Sequence, residues 1–273
     1  MNKKVNKIDY SKAMLPRTRR EQFLDCFKMN YLTILKCGLM LLLFFVPLIG
    51  FCFFMDFYYV VLMDQSTEEI EQTKLVFNYL YNGGAILLSL VAVIGLTGVI
   101  HVLRNLIWGE GIFFKDDFTM GIKQNAGKNV LFALVFSLFY ALDYFVYSLF
   151  PQFFISPFII LLFALIFLPI FFWIILLNNF YNSKWTGLLR NGLFFFVKTI
   201  GWSLLGILMP LSLVALALIP FSLIWLKYII LVVFIIFAFP IIMLIMVLFS
   251  TSKFDQYINK DNYPDYFMRG LNY

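Results

Sequence analysis

Long apolar runs alternate with short polar connections along most of the 273-residue chain. Six of these runs reach the ~20 residues that an α-helix needs to cross the hydrocarbon core of a bilayer. They span residues 33–55, 85–108, 130–150, 154–177, 199–219 and 228–250. Most are apolar on every side, and a helix can satisfy the backbone polar groups of such a run within lipid. The pattern predicts an all-α membrane protein with six transmembrane helices.

The composition supports this prediction. Hydrophobic residues make up 62% of the chain and charged residues 13%, and 35 residues are Phe. A soluble fold of this length cannot bury so much apolar surface. The chain is therefore expected to be a multi-pass integral membrane protein.

Basic residues are distributed unevenly among the connections. The leader and the second and fourth connections carry most of the Lys and Arg, whereas the first connection is acidic. By the positive-inside rule, both termini are predicted to lie inside. The net charge of +6 is then attributed to topology and to contact with anionic membrane lipids, and no nucleic acid is expected as a partner.

These features divide the chain into a basic cytoplasmic leader (1–22), a transmembrane domain (23–250) with an acidic outer loop (57–84), and a cytoplasmic tail (251–273). The leader lacks a small-residue cleavage site, which predicts a retained signal anchor. The tail is polar, and is either ordered against the rest of the cytoplasmic side or a docking peptide. In the outer loop, Ser66 and Glu69 match a capping box, which predicts a short helix over the outer surface.

Similar segments precede the first, third and fifth runs, at residues 23–32, 118–129 and 185–196. Each combines an apolar stripe with basic residues and an Asn: Asn30, Asn125 and Asn191. Such segments suit interfacial helices, whose apolar side chains enter the acyl boundary while Lys or Arg reach the headgroups. The chain is predicted to form three hairpins, each preceded by a cytoplasmic interfacial elbow helix. The alternative is a coincidental similarity in a Phe-rich chain.

The stretch GEGIFFKDDF, residues 109–118, connects the second and third runs. Gly109, Glu110 and Gly111 lack the Gly-Lys-Ser/Thr that cradles phosphate, and the acidic pair Asp116 and Asp117 would repel an anion. The stretch is interpreted as a turn, because glycines supply unusual backbone angles and either Asp can cap the helix that follows.

A few polar residues fall within the apolar runs. Asp143 is predicted to lie in the outer half of the bilayer, where Lys227 is its candidate partner. It is either a proton or substrate site or a paired structural residue. His101 and Arg104 share a helix face, and Arg104 is expected to extend to the lipid headgroups, with contact to a protein partner as the alternative.

Other chemistry is tested by elimination. The single histidine excludes an HExxH zinc site, and the three cysteines, Cys26, Cys37 and Cys52, have no C-x-x-C spacing. The cysteines are interpreted as small apolar packing residues. No catalytic residue, metal or cofactor is predicted, so the chain is not expected to be an enzyme.

The segment at residues 97–129 resembles the YesL-like family of bacterial integral membrane proteins. The match is carried by Arg104, Gly109, Glu110, Gly111, Asp117, Phe118, Gly121, Lys123 and Asn125. The resemblance implies an accessory protein of the bacterial cytoplasmic membrane linked to carbohydrate utilisation, with subunits of a sugar ABC importer or a sensor kinase as partners and oligosaccharide only indirectly involved. The chain departs from the family in its acidic outer loop and its long basic leader.

Two functions remain open. The first is a non-enzymatic accessory or scaffolding protein that docks its partner through Arg104, Gly109, Glu110, Gly111, Asp117, Phe118, Lys123 and Asn125. The second is a small transporter or channel-like protein that uses the intramembrane carboxylate of Asp143, with His101 and Lys227 as the other intramembrane polar residues.

Overall fold

A computed structural model of the protein describes residues 15–63, 70–149, 163–181, 183–204 and 223–272. Throughout these ranges the chain forms helices and turns and no β-strand. The main helices are α1 (Arg19–Met29), α2 (Tyr31–Met63), α3 (Ile70–Ile107), α4 (Phe114–Leu149), α5 (Leu168–Phe180), α6 (Trp185–Lys198) and α7 (Ile224–Asn262). A π-helical turn, Phe163–Phe167, leads into α5, and α7 contains two more, Phe234–Ala238 and Asp255–Asn259.

Four helices in the described part of the chain are long and apolar enough to cross a membrane. They comprise Tyr31–Val61 of α2, Val76–Ile107 of α3, Phe114–Leu142 of α4 and the whole of α7. The prediction of an all-α membrane protein is confirmed at this level. Residues 154–162 of the fourth predicted run lie outside the described ranges, and the rest of that run belongs to the π-helical turn and α5. Most of the fifth run, residues 205–219, also lies outside them. The six-span arrangement and its orientation stay predictions.

Helix α3 occupies the centre of the bundle. It packs against α1, α2, α4, α5 and α7. In its most apolar stretch of 18 residues, 56% of the residues are buried, whereas the share is 28% or less in the corresponding stretches of the other three long helices. Val99, Ile100 and Leu103 have no exposed surface. Because α3 is enclosed by protein near its end, the polar groups there need protein partners.

Glycines bring the long helices into close contact. A Cβ on Gly121 of α4 would lie 2.4 Å from the Cβ of His101 on α3, and a Cβ on Gly98 of α3 would lie 2.6 Å from the ring of Phe118. Small residues allow such backbone approach in membrane helices, where packing drives association.

Two of the three predicted elbows are separate helices. Helix α1 ends at Met29, where the N–H of Asn30 bonds to the carbonyl of Cys26 at 3.1 Å, and α2 begins at Tyr31. Helix α6 ends at Lys198, and a turn at Thr199 separates it from the helix that begins at residue 200. The predicted boundaries of the leader and the tail, residues 22 and 251, fall inside α1 and α7.

The other elbow prediction is wrong, because residues 118–129 continue without a break into α4. Asn125 does not interrupt the helix, because its side chain donates a hydrogen bond to Asn179 of α5 and does not compete for the backbone hydrogen bonds of α4. The separate helix over the outer surface is also not formed. Helix α3 runs from Ile70 through Gly84, which packs against the ring of Phe51 on α2. The capping box residues lie outside the described ranges.

The contact of α2 with α7 generates a stability prediction. A Cβ on Gly38 would lie 2.0 Å from the carbonyl oxygen of Ile236, in a π-helical turn of α7. Gly38→Ala is expected to lower the free energy of unfolding by about 1–3 kcal/mol through overpacking. A Cβ on Gly50, in the same helix, would meet no atom within 4 Å, so Gly50→Ala is the matched control and should stabilise by up to about 1 kcal/mol. Thermal unfolding in mild detergent distinguishes them, and equal stability of the two variants would contradict the close contact.

Candidate functional site at the polar end of the bundle

The turn after α3 closes the helix with a glycine cap. Gly109 has φ 68, the left-handed region that glycine adopts without strain. The N–H of Glu110 bonds to the carbonyl of Asn105 at 3.1 Å and the N–H of Gly109 to that of Leu106 at 3.2 Å, which is the Schellman arrangement. The interpretation of this stretch as a turn is confirmed at Gly109 and Glu110, whereas Gly111 does not adopt a positive φ.

Asp117 supports the start of α4. Its Oδ2 accepts the N–H of Phe113 at 2.8 Å, one residue before the helix begins. Of the two carboxylates predicted to cap this helix, Asp117 therefore satisfies a backbone donor directly. A negative charge in the first turn is also favoured by the helix dipole.

Arg104 is held inside the protein. It donates to the carbonyl of Asn179 and, at 2.9 Å, to Oδ1 of Asn105, and its guanidinium lies 4.6 Å from the ring centroid of Trp108. The predicted shared face with His101 is confirmed by a contact of 3.2 Å to Nε2. The expectation that Arg104 extends to lipid headgroups is wrong, because carbonyls and an aromatic ring of the chain satisfy the side chain.

A network of buried amides connects α3, α4 and α5. Asn178 donates to Oδ1 of Asn129 at 2.8 Å, Asn129 donates to Thr97 at 2.9 Å, and Asn125 donates to Asn179 at 3.3 Å. All five residues are buried. Sequence reasoning missed Asn178 and Asn179, although two adjacent amides at the end of an apolar run were a visible signal.

The C-terminal segment is ordered against this end of the bundle. Arg269 binds Glu110 at 2.6 Å and places its guanidinium 4.5 Å from the ring centroid of Trp108. Gly270, with φ 81, lies against the carbonyl of Ile107. Of the two alternatives left open for the tail, the described part follows the ordered one.

Helix α1 joins the same end through Arg19 and Gln22. Arg19 forms an ion pair with Asp255, which also accepts the N–H of Met268 at 3.2 Å. Gln22 donates to the carbonyl of Ile107 at 2.6 Å and to that of Gly270 at 3.1 Å. Burial lowers the pKa of Arg19, and the charge of Asp255 acts in the opposite direction. These contacts bring together six side chains at the polar end of the bundle: Arg19, Gln22, Trp108, Glu110, Asp255 and Arg269.

The predicted docking residues fall into two groups. Asp117, Phe118 and Asn125 are buried, and Arg104, Gly109 and Glu110 make the internal contacts described above. Lys123 is exposed and Gly111 is half-buried. Around Lys123 the first turns of α4 carry an exposed strip that combines apolar side chains with both signs of charge. We call this strip the α4 patch: Phe113, Lys115, Asp116, Met120 and Lys123.

A third ion pair lies at the opposite end of the bundle. Lys227 of α7 binds Oδ2 of Asp56 on α2 at 2.6 Å, and the hydroxyl of Tyr228 donates to the same oxygen at 2.8 Å. The predicted partner of Lys227 was Asp143, whose side chain lies outside the described part of the structure. Asp56 falls between the predicted run at residues 33–55 and the predicted outer loop at residues 57–84, so neither prediction included it.

The cysteines make no disulfide within the described ranges, and Cys26 and Cys37 are buried, as packing residues are expected to be. No group of three or more His, Cys, Asp or Glu among the residues described is arranged to hold a metal ion. No family model, curated protein or solved structure matches the chain. The resemblance of residues 97–129 to the YesL-like family therefore stays a prediction.

The ion pair of Arg19 generates the second prediction. Arg19→Met leaves the buried carboxylate of Asp255 without its charged partner, which should cost about 1–3 kcal/mol. Arg20→Met is the matched control, since Arg20 is the exposed neighbour. Limited proteolysis with trypsin should cut residues 255–272 about tenfold faster in Arg19→Met than in the wild type, with the control unchanged. Equal cleavage of the two variants would show that the pair does not hold the tail.

The burial of Cys26 generates the third prediction. Burial raises the pKa of Cys26 to about 12, so very little of the thiol is ionised at neutral pH. In native protein, pulse labelling with a maleimide followed by peptide mass spectrometry should modify Cys26 at least 100-fold more slowly than a cysteine introduced by Lys123→Cys. Comparable rates at the two positions would mean that α1 separates from the end of α3.

Proposed function

We propose that this chain is a non-enzymatic accessory or scaffolding membrane protein that docks another membrane-associated protein through the α4 patch. The observation that carries the proposal is the exposed strip on a rigid support. Phe113 is 39% and Met120 48% exposed, and charges of both signs flank them. Aromatic and Met side chains with a charged rim are typical of protein interfaces.

The support beneath the patch favours a fixed docking surface. The buried face of the same helix places Phe118 against α3, and Asp117 fixes its first turn. A surface held in one conformation loses little conformational entropy on binding, so its contacts contribute more of their energy to affinity.

The resemblance of residues 97–129 to the YesL-like family suggests the class of partner. Subunits of a bacterial carbohydrate ABC importer, or a sensor kinase of the same system, are the proposed partners, and the protein is proposed to lie in the cytoplasmic membrane with both termini inside. The α4 patch belongs to the segment that carries the resemblance, which is why the docking surface is placed there.

The alternative function is a small transporter or channel-like protein. The ion pair of Asp56 and Lys227, side chains within long apolar helices, is the observation that favours it, because charged groups in such helices often mark ion pathways. The alternative ranks second because the carboxylate is already bound by Lys227 and Tyr228, as a structural pair would be.

Affinity purification from native membranes in mild detergent tests the docking proposal. Wild-type protein is expected to recover an importer or kinase subunit, and Met120→Ala/Lys123→Glu is expected to recover at least tenfold less of it by quantitative mass spectrometry. The matched control is Val197→Ala/Lys198→Glu, which changes an exposed apolar residue and an exposed Lys on α6. Recovery of the protein alone, or equal loss in both variants, would refute docking through the α4 patch.

A further inference from the structure

Helix α6 has three distinct faces along its length, and besides α5 it contacts Phe132 of α4 through Trp185 and Tyr257 of α7 through Phe194. Its first face is buried against α5, where Gly192 approaches Ile174 so closely that a Cβ would lie 2.8 Å from Cγ1. On the same face, Phe195 stacks on Trp173 with ring centroids 5.0 Å apart. This contact fixes the rotation of α6 about its axis.

The second face is apolar and exposed. Trp185, Leu189, Leu193 and Val197 follow one another at intervals of four residues and are 39%, 41%, 48% and 67% exposed. Residues at this spacing form a continuous stripe on a helix. A stripe of this kind along the whole helix is unfavourable in water and is typical of a helix that lies in the acyl boundary of a membrane.

The third face is basic. Lys184, Arg190 and Lys198 are all exposed, and α6 contains no acidic residue. Arg190 borders an open groove of about 670 Å³ between α6 and the end of α7. Its lining includes the amides of Asn191 and Asn262 and the phenols of Tyr257 and Tyr263, and among the residues described it contains no carboxylate. Guanidinium, amide and phenol groups can all donate hydrogen bonds to a phosphate.

Helix α1, the other predicted elbow that forms a separate helix, lacks this combination of an apolar face and a purely basic face. It also exposes apolar side chains, at Leu24 and Met29. However, it carries Glu21 and Asp25 among its basic residues, and its Arg19 is bound to Asp255. The unbalanced positive charge beside an apolar stripe is therefore a property of α6.

We propose that α6 lies in the headgroup layer of the membrane and that Lys184, Arg190 and Lys198 bind anionic phospholipid. The apolar stripe faces the acyl chains, and the basic face receives the phosphate groups, with the groove beside Arg190 holding one headgroup. A lipid is favoured over an acidic protein because the apolar and basic faces adjoin along the length of the helix, as the acyl and headgroup layers do. This surface is separate from the α4 patch, so either proposal can fail without the other.

Native mass spectrometry of the full chain, released from detergent with added lipid, tests the assignment. The wild type is expected to bind phosphatidylglycerol at least tenfold more tightly than phosphatidylcholine. Arg190→Gln/Lys198→Gln should lose roughly tenfold or more of the affinity for phosphatidylglycerol, since each basic residue near an anionic surface contributes roughly fivefold. The matched control, Arg20→Gln/Lys28→Gln, changes two exposed basic residues of α1 and should lose less than twofold.

Three results would overturn the proposal. They are equal affinity of the wild type for the two lipids, equal losses in the two double variants, and displacement of phosphatidylglycerol by millimolar glycerol phosphate, which would identify a site for free phosphate. A protein that co-purifies with the wild type and is lost on Arg190→Gln/Lys198→Gln, while lipid binding is unchanged, would make this face a protein interface and also refute the assignment.

The depth of α6 gives an independent measurement. In a Cys52→Ala background, a bimane label on Val197→Cys in vesicles of phosphatidylglycerol and phosphatidylcholine is expected to be quenched by lipids brominated on their acyl chains. The same label on Lys123→Cys is the control and should show little quenching. A label at position 197 that is quenched no more than the control would place the apolar stripe away from the acyl chains and reject the interfacial position of α6.

Discussion

The end of α3 imposes the constraint on which the rest of the polar end depends. An α-helix leaves its last carbonyls without partners inside the helix, and because the residues of this final turn are mostly buried, protein groups supply partners for them. Gly109 and Glu110 turn back to bond to the carbonyls of Leu106 and Asn105, and Gln22 of α1 reaches that of Ile107. The glycine turn and the position of α1 thus solve one problem, the ending of an apolar helix inside the molecule. The tail follows, because Gln22 also holds Gly270.

Satisfying this end consumes most of the polar groups near it. The guanidinium of Arg104 donates a hydrogen bond to the carbonyl of Asn179 in α5. The buried amides of α3, α4 and α5 form hydrogen bonds with one another. A hydrogen bond between membrane helices contributes about 0.6–2 kcal/mol, so several in series make separation of these helices costly. Side chains that already hold such hydrogen bonds keep the helices at this end in fixed positions. A rigid surface of this kind favours docking of a partner over a rocking motion of the helices. The exposed charges of the α4 patch and of α6 are among those that stay available to partners.

The apolar runs and the glycine turn could be predicted from the sequence because each depends on local chemistry. Run length determines whether a helix can cross a membrane, and Gly109 followed by carboxylates indicates a cap before a new helix. That α4 runs without a break through residues 118–129, and α3 through Gly84, could not be predicted in the same way. Their Asn and Gly residues look like breaks, but Asn125 and Gly84 are used for contacts between helices. A polar or small residue has the same local signal in both roles, and only the neighbouring helix decides between them.

The same reasoning explains why only part of the predicted docking site lies on the surface of the molecule. A motif recognised by resemblance contains residues that build the turn as well as residues that face outward. Phe118 fills the space left by Gly98, and Asp117 caps α4, so both are required for the shape of the segment whether or not it binds anything. Exposure then separates the surface from its support, because only an exposed side chain can contact a partner without rearrangement of the fold. The residues that meet this condition form the α4 patch, at the first turns of α4.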